Sequence, residues 1–321
     1  MSEERNLKKS INRVQVVGTL KEVNLVYDAT AENKQNPKIK GAIIKSDFKN
    51  PSVTIEVNGN AIGVDFYPTY TKREKDGKLE ENGNYTSLKR VLDGEIAIGD
   101  RVVINGSLAE NGYVNDQFEY KSYIRINAFS VSTTNVPDDD STDSRISGII
   151  RNIKKETVKR GDDMVETDRL AVEFYFIAND TINGLSAIPL NLIVPADLAD
   201  DFENMYSAGD NVIFDYETAT RMVGGVKKSA RKFGNRDSKI VDGFAISEYV
   251  IFGGEEPLDE EHEYFIGNAE IKKLLDDRRI MIDAKINDKK NKPATKGETK
   301  KGLGNRTSTM TETVDDEESP F

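Results

Sequence analysis

A chain of 321 residues with 37% hydrophobic and 31% charged side chains is long enough for two domains with cores of their own plus tails. It has no Cys and carries a net charge of −11, which excludes disulfide frameworks, thiolate zinc sites and Cys nucleophiles. Its single histidine, His262, lies in the acidic run Glu255 to Glu263, a setting for a solvated side chain and not for an imidazole metal site or a Ser-His pair.

The start, Met1-Ser2-Glu3-Glu4-Arg5, is charged and leads into no apolar segment, and no run reaches membrane-spanning length, so a soluble cytoplasmic protein is expected. Val14 to Val23 is the first periodic segment, with Gly18 between the apolar residues Val16, Leu20 and Val23. It reads as a long bent strand in which Gly marks a bulge or a tight barrel corner. Val53 to Val57 and Ala61 to Tyr67 alternate at period two and flank Asn58-Gly59-Asn60, a hairpin signal. A short helix is predicted over Tyr85 to Leu92. Ile98-Gly99-Asp100 then makes a turn feeding the strand Arg101 to Ile104, and Ile126 to Val131 reads as a closing strand.

The same order recurs after Thr133 to Asp143, a Pro- and Asp-rich stretch that reads as a linker. Gly148 stands between Ile146, Ile150 and Ile153 as Gly18 does among its neighbours. Strands follow at Leu170 to Ala178 and Ala187 to Val194, then a helix opened by Pro195 and running through Tyr206. Ala208-Gly209-Asp210 repeats the Gly-Asp turn, and Ile246 to Ile251 closes the unit. Three strands, one helix and two strands, met twice, predict an all-β chain with short helices, built as two tandem OB-fold five-stranded barrels plus a disordered C-terminal tail. The expected divisions are 1–133 and 144–286 for the barrels, 134–143 for an acidic linker, 287–311 for a disordered linker and 312–321 for an acidic tip. Within the second unit's extension, a short helix is expected at Asn268 to Leu275 and a strand at Arg279 to Ile286. Residues 287–311 hold seven Lys and Arg and almost nothing apolar.

The acid is unevenly placed. Residues 138–143, 255–263 and 312–318 hold four, six and five carboxylates and no Lys or Arg, and with those fifteen set aside the rest of the chain stands at +4. Acidic segments kept apart from a mildly basic remainder suit a nucleic-acid-binding surface. Nonspecific single-strand binding needs cations along the phosphates and flat rings under the bases, and three stretches combine or divide these. The strand-three exit carries Tyr67, Tyr70, Lys72, Arg73, Lys75 and Lys78; the loop between strands four and five of the second barrel carries Arg221, Lys227, Lys228, Arg231, Lys232, Phe233 and Arg236. The matching stretch of the first barrel is aromatic instead, with Tyr113, Phe118, Tyr120 and Tyr123. Each group has a plainer reading as strand packing or a solvated loop. Asp162, Asp163, Glu166 and Asp168 could serve a carboxylate-metal nuclease, but they surround a hairpin turn, where acids are common, so neither catalysis nor a cofactor is expected.

The tip Asp315-Asp316-Glu317-Glu318-Ser319-Pro320-Phe321 resembles the C-terminal tip of bacterial and bacteriophage single-stranded DNA-binding proteins, and Asn12 to Leu20 is similar to their first strand. The resemblance covers the two ends of the chain. It implies sequence-independent coating of single-stranded DNA in replication, recombination or repair. It also implies recruitment of partner enzymes through Asp315, Asp316, Glu317, Glu318, Pro320 and Phe321. Two barrels in one chain, where bacterial members have one, and the absence of Trp suggest a bacteriophage-type monomer or homodimer that stacks bases on Tyr and Phe. The competing readings are a strand-annealing recombination mediator and a structural or virion interaction protein of two β domains.

Overall fold

A computed structural model describes residues 7–27, 34–35, 43–44, 48–66, 70–75, 78–81, 83–160, 163–180, 184–223, 226–229, 238–241 and 244–291. The first half runs β1 (Asn12–Tyr27), β2 (Lys34–Gln35), β3 (Ile43–Ile44), β4 (Phe48–Val57), β5 (Asn60–Phe66), β6 (Tyr70–Lys75), β7 (Lys78–Glu81), α1 (Gly83–Leu92), β8 (Arg101–Val114) and β9 (Tyr120–Ser132). The second runs β10 (Ser144–Arg160), β11 (Asp163–Asp180), β12 (Gly184–Val194), α2 (Ala199–Met205), β13 (Asn211–Val223), β14 (Val226–Ser229), β15 (Ser238–Val241), β16 (Phe244–Gly254) and α3 (Asn268–Asn291).

Five strands of each half close on themselves. β1 pairs antiparallel with β4 and β8, β4 with β5 and β8 with β9, and β5 meets β9 in parallel. The second half repeats this with β10, β11, β12, β13 and β16, the parallel contact being Ile193 against Val250. A first strand shared between the second and the fourth, a parallel contact between third and fifth, and a helix between third and fourth are the OB arrangement. Alternation supplies the cores. Val53, Ile55 and Val57 point inward beside Ile62 and Val64, and Leu88 and Val91 of α1 plug the first barrel. In the second, Phe202 and Tyr206 of the α2 segment close on Phe214 with ring centroids 5.6 and 5.2 Å away.

The repeated glycines are required by close approach. A Cβ on Gly18 would overlap the Glu56 carbonyl oxygen, and one on Gly148 would overlap that of Tyr175. The bulges follow slightly later, between Leu20 and Glu22 and between Ile150 and Asn152. The Gly-Asp turns also superpose in their bonding: Gly99 and Gly209 take φ of 98° and 97°, a region that favours glycine. Their amides donate to Leu20 and Ile150 carbonyls, each at 2.8 Å. Asp100 and Asp210 each cap the amide three residues back, at 2.8 and 2.7 Å. Asn58 and Gly59, both at positive φ, form the two-residue turn between β4 and β5.

Two expectations are corrected. Pro195 does not open α2; its carbonyl accepts from Leu198 in a turn, and the helix starts at Ala199. Arg279 to Ile286 is not a strand, because α3 is one helix of 24 residues that continues through Asn291. Its docking face changes from apolar (Ile271, Leu274) to cationic (Arg278, Lys285, Lys289), so hydrophobic periodicity fades while the helix goes on.

The stretch between the barrels is strapped down. Ser141 bridges to Val17, Gln15 donates to the Asp143 carbonyl, and Asp140 takes the Asn58 amide at 3.0 Å and the Arg101 guanidinium at 2.5 Å. The Asn58 amide foremost, with Arg101, holds the Asp140 carboxyl below its usual range. β10 then pairs with β1, Asn12 against Ile146 and Val14 against Ser144, so both barrels share one ten-stranded sheet. No helix among the described residues is long and apolar enough to cross a membrane.

Candidate nucleic-acid interface

An OB barrel offers the outward face of its second and third strands, framed by the loops between strands one and two and between four and five. In the first barrel this face is β4 and β5, and its outward residues include Thr54, Glu56, Gly63 and Asp65. Thr54 pairs with Gly63, and a Cβ on Gly63 would meet nothing within 4 Å. Asp65 follows on the same side and holds Arg125 of β9 at 3.0 Å. From Arg125 the surface continues up the β8–β9 hairpin through Tyr123 and Lys121, cross-paired with Asn111 and Tyr113. Tyr113 is 55% exposed. Tyr123 is half-buried, and its hydroxyl accepts from the Asn111 side-chain amide. Lys121 lies 3.1 Å from Glu119.

Alternation sends Tyr120 to the opposite side of the hairpin, and Phe118 sits in the turn between β8 and β9 at a φ of 60°. Tyr120 lies against Gly112, where a Cβ would collide with its ring. Arg278 and Lys285 of α3 approach the Tyr120 ring at 6.0 and 5.5 Å, and Lys290 approaches Phe118 at 5.9 Å. Arg278 also makes a two-pronged ion pair with Glu110 at 2.6 and 2.5 Å, both side chains being nearly inaccessible. Burial alone would raise the Glu110 carboxyl and is the largest single influence. Arg278, with help from Ser122 and Lys285, outweighs it and leaves that carboxyl below its ordinary value. Lys289 completes the contact on the Val114 carbonyl and Asp116, at 2.7 and 2.9 Å. Tyr113 and Tyr123 therefore share the face away from α3, Tyr113 exposed and Tyr123 half-buried, whereas Tyr120 and Phe118 have cations of α3 near their rings, Phe118 remaining 42% exposed.

In the second barrel the register makes Glu173, Tyr175, Asn191 and Ile193 the counterparts of Thr54, Glu56, Gly63 and Asp65; Tyr175 is buried, Asn191 is exposed, and Glu173 and Ile193 are half-buried. Tyr175, Ile177 and Ala187, outward on β11 and β12, form a second core with Ile149, Ile266, Ile271 and Leu274, and Leu7, Leu185 and Leu275 pack against it. Two arms also project from the second barrel. β10 and β11 extend past the barrel as a ladder to Arg160 and Asp163, with Met164 65% exposed near the tip. β13 and β16 likewise continue to Val223 and Phe244, beyond which β14 and β15 pair as a ribbon. At the base of the arms Glu156, Arg169, Glu248 and Arg221 form a closed ring of alternating charge, with contacts of 3.6, 3.0, 2.5 and 3.3 Å.

Arg221 is therefore engaged by two carboxylates. Lys227 and Lys228 lie on the β14 backbone, while Arg231, Lys232, Phe233 and Arg236 lie outside the described residues. Tyr70, Lys72, Arg73, Lys75 and Lys78 fall on the paired strands β6 and β7, described by their backbone alone, in a four-stranded sheet with β2 and β3. Tyr67 lies outside the description, as do Asp315, Asp316, Glu317, Glu318, Pro320 and Phe321. Asp163, Glu166 and Asp168 are exposed along β11, and Asp162 lies outside the described residues.

Sequence reasoning passed over Lys121, Arg125 and Asn111, the charge ring and the continuation of α3 beyond Leu275. One signal was available. Val53-Thr54-Ile55-Glu56-Val57 alternates, as a strand with one wet face must, whereas Phe174-Tyr175-Phe176-Ile177 is continuously apolar, the mark of a strand covered on both faces.

A family model described as YorF matches residues 10–291, a span from just before β1 to the last residue of α3. The chain belongs to the YorF family. None of the curated proteins matches it. Among solved structures, a deletion mutant of the single-stranded DNA-binding protein from Thermus aquaticus is similar at 12% identity and a TM-score of 0.43, over 79% of this chain and 98% of that one. The wild-type form of that protein gives 11% identity and a TM-score of 0.40, over 82% and 99%.

Proposed function

We propose that this YorF-family chain binds single-stranded DNA without sequence preference and coats it during replication, recombination or repair. The observation that carries the reading is the strand face that runs from Thr54 and Gly63 of β4 and β5 to Tyr113 and Tyr123 of the hairpin, with Lys121 and Arg125 beside them. Small residues let a backbone approach, rings accept bases of any identity, and cations meet phosphates. The ribbon between β13 and β16, in a stretch 221–239 with seven Lys and Arg and one acid, would add long-range attraction for a polyanion. Residues 315–321 would recruit partner enzymes, and the chain would act as a monomer or homodimer in the cytoplasm of its own cell or of a host.

The test is fluorescence anisotropy of a labelled oligo-dT, titrated with the full chain at two salt concentrations and against duplex competitor. Binding that prefers the single strand and weakens as salt rises is expected. No binding at low salt, or an equal preference for duplex, refutes the proposal.

A further inference from the structure

We infer that the two barrels are related by a two-fold axis and therefore hold a single strand in opposite polarities, so that one natural strand lying on both must turn back between them. This rests on the single-strand reading above and specifies the path of that strand. Gly18 and Gly148 mark like positions, each pressed by a carbonyl of the neighbouring strand and paired with Val102 and Val212, which makes Val14 and Ser144 counterparts. These two face one another in the antiparallel ladder that joins the barrels. The ladder runs evenly to both sides of that pair. At one end the Val17 amide donates to the Ser141 carbonyl at 2.8 Å, and at the other the Ser147 amide donates to the Ile11 carbonyl at 2.9 Å. Just beyond it, side chains repeat the exchange: the Ser10 hydroxyl accepts from the Ile177 amide at 2.7 Å, and Asp140, its counterpart, accepts from the Asn58 amide at 3.0 Å. Ile177 and Asn58 are themselves alike in position, following Tyr175 and Glu56, whose carbonyls press on the two glycines.

Pairing like positions reciprocally is how two identical subunits meet across a two-fold axis, and this junction has that form within one chain. The axis is fixed by more than the ladder. Each barrel's leading segment lies on the other barrel, and further contacts tie the two bodies, Thr220 donating to the Ala61 carbonyl at 2.9 Å and Arg278 meeting Glu110 in a buried ion pair. Neither strand face is closed by the arrangement. Gly63 is exposed and Thr54 and Asp65 are half-buried; their counterparts are Asn191, exposed, and Glu173 and Ile193, half-buried. A nucleic-acid backbone has a direction, and whichever way it lies along the first face, a two-fold rotation reverses that direction on the second. A natural strand carried straight across would meet one face backwards, so it satisfies both only by looping. A strand whose polarity is inverted at its midpoint has the two-fold symmetry of the protein and can run straight.

Three oligo-dT strands of equal length, with about 15 nucleotides for each barrel, test this on the full chain by fluorescence anisotropy: one natural, one joined 3′–3′ at its centre and one joined 5′–5′. One of the two inverted strands is expected to bind at least about threefold more tightly than the natural one, because its second half reaches the second face without nucleotides used in a turn. The advantage should vanish when the strands are shortened to about 8 nucleotides in all, a length that one barrel accommodates. A smaller advantage, or a natural strand that binds as tightly as both inverted ones, would overturn the opposed polarity while leaving single-strand binding intact. An advantage that persists in the short strands would belong to the linkage itself and would equally overturn it. Failure of all three strands to bind would overturn both this and the function on which it rests.

Discussion

Removing Arg278 should detach one end of α3 while leaving the other in place. Arg278 and Glu110 are 8% and 10% exposed and meet through two contacts. Deleting one partner of such a pair strands the other as a buried charge, at a cost of about 3–5 kcal/mol. Ser122 and Lys285 also act on the Glu110 carboxylate, so the lower end, about 3 kcal/mol, is appropriate for Arg278→Ala. The first turns of α3 remain held by Ile271 and Leu274 in the second core, so the loss should appear as local opening of the distal half. An isolated helical end of that length is marginal in water. At about 1.4 kcal/mol per decade, amide protection over residues 282–291 should fall roughly a hundredfold, with little change over 271–275. Replacing Arg278 and Glu110 together by Met should recover most of the loss, because no buried charge is left unpaired. Protection that falls less than about threefold in Arg278→Ala, or a double variant as damaged as the sum of the singles, would refute the assignment of this pair as the distal anchor.

Gly148→Ala would drive a Cβ into the Tyr175 carbonyl and to 2.6 Å from the Phe174 ring, and should cost at least about 2 kcal/mol in urea unfolding. Gly63→Ala, with nothing within 4 Å, should stay within about 0.5 kcal/mol of the parent. In the charge ring, Glu156→Ala strands Arg169 and Arg221 and Glu248→Ala strands the same two, so a double-mutant cycle should show coupling of about 1 kcal/mol or more; strict additivity would dissolve the ring into separate surface pairs. Glu110 and Asp140 both titrate below their ordinary values. A depressed carboxyl stabilises the fold above its unfolded value, near 4, and loses that contribution as pH falls through the folded value. The urea midpoint should therefore be insensitive to Glu110 and Asp140 near neutrality and fall on acidification, less steeply in Arg278→Ala; an equal slope in parent and variant would exclude Glu110 as a contributor.

The landmarks legible in the sequence were those set by local backbone demands. Gly18 and Gly148 are needed where another strand's carbonyl presses on the Cα, Gly99 and Gly209 where φ is positive, and alternation in Val53 to Val57 shows a one-sided strand. What stayed hidden depended on partners distant in sequence. Arg278 meets Glu110 168 residues away, and Arg221 looks like a free cation until Glu156 and Glu248 are brought beside it. Tyr113, Phe118, Tyr120 and Tyr123 could be sorted into two faces only once the β8–β9 register was known. The helical run past Leu275 was mistaken because its docking residues are cations, which a search for apolar periodicity does not count.

Seen from the hairpin, α3 has a second consequence. A two-stranded ribbon projecting from a barrel is marginal without support, and the β8–β9 hairpin carries Tyr113 and Tyr123 on one side while α3 grips Glu110, Tyr120, Val114 and Asp116 on the other. The helix that packs on Tyr175, Ile177 and Ala187 of the second barrel thus braces the first barrel's hairpin from behind, at a distance from any bound strand. Holding rings in place before a base arrives reduces the ordering cost of binding. On this reasoning Arg278→Ala should weaken oligo-dT binding although Arg278 lies on the far side of the hairpin, and it should do so without altering the salt dependence, since no phosphate contact is removed. An unchanged affinity would mean that the hairpin holds its shape unaided; a shallower salt slope would mean that Arg278 itself meets the strand.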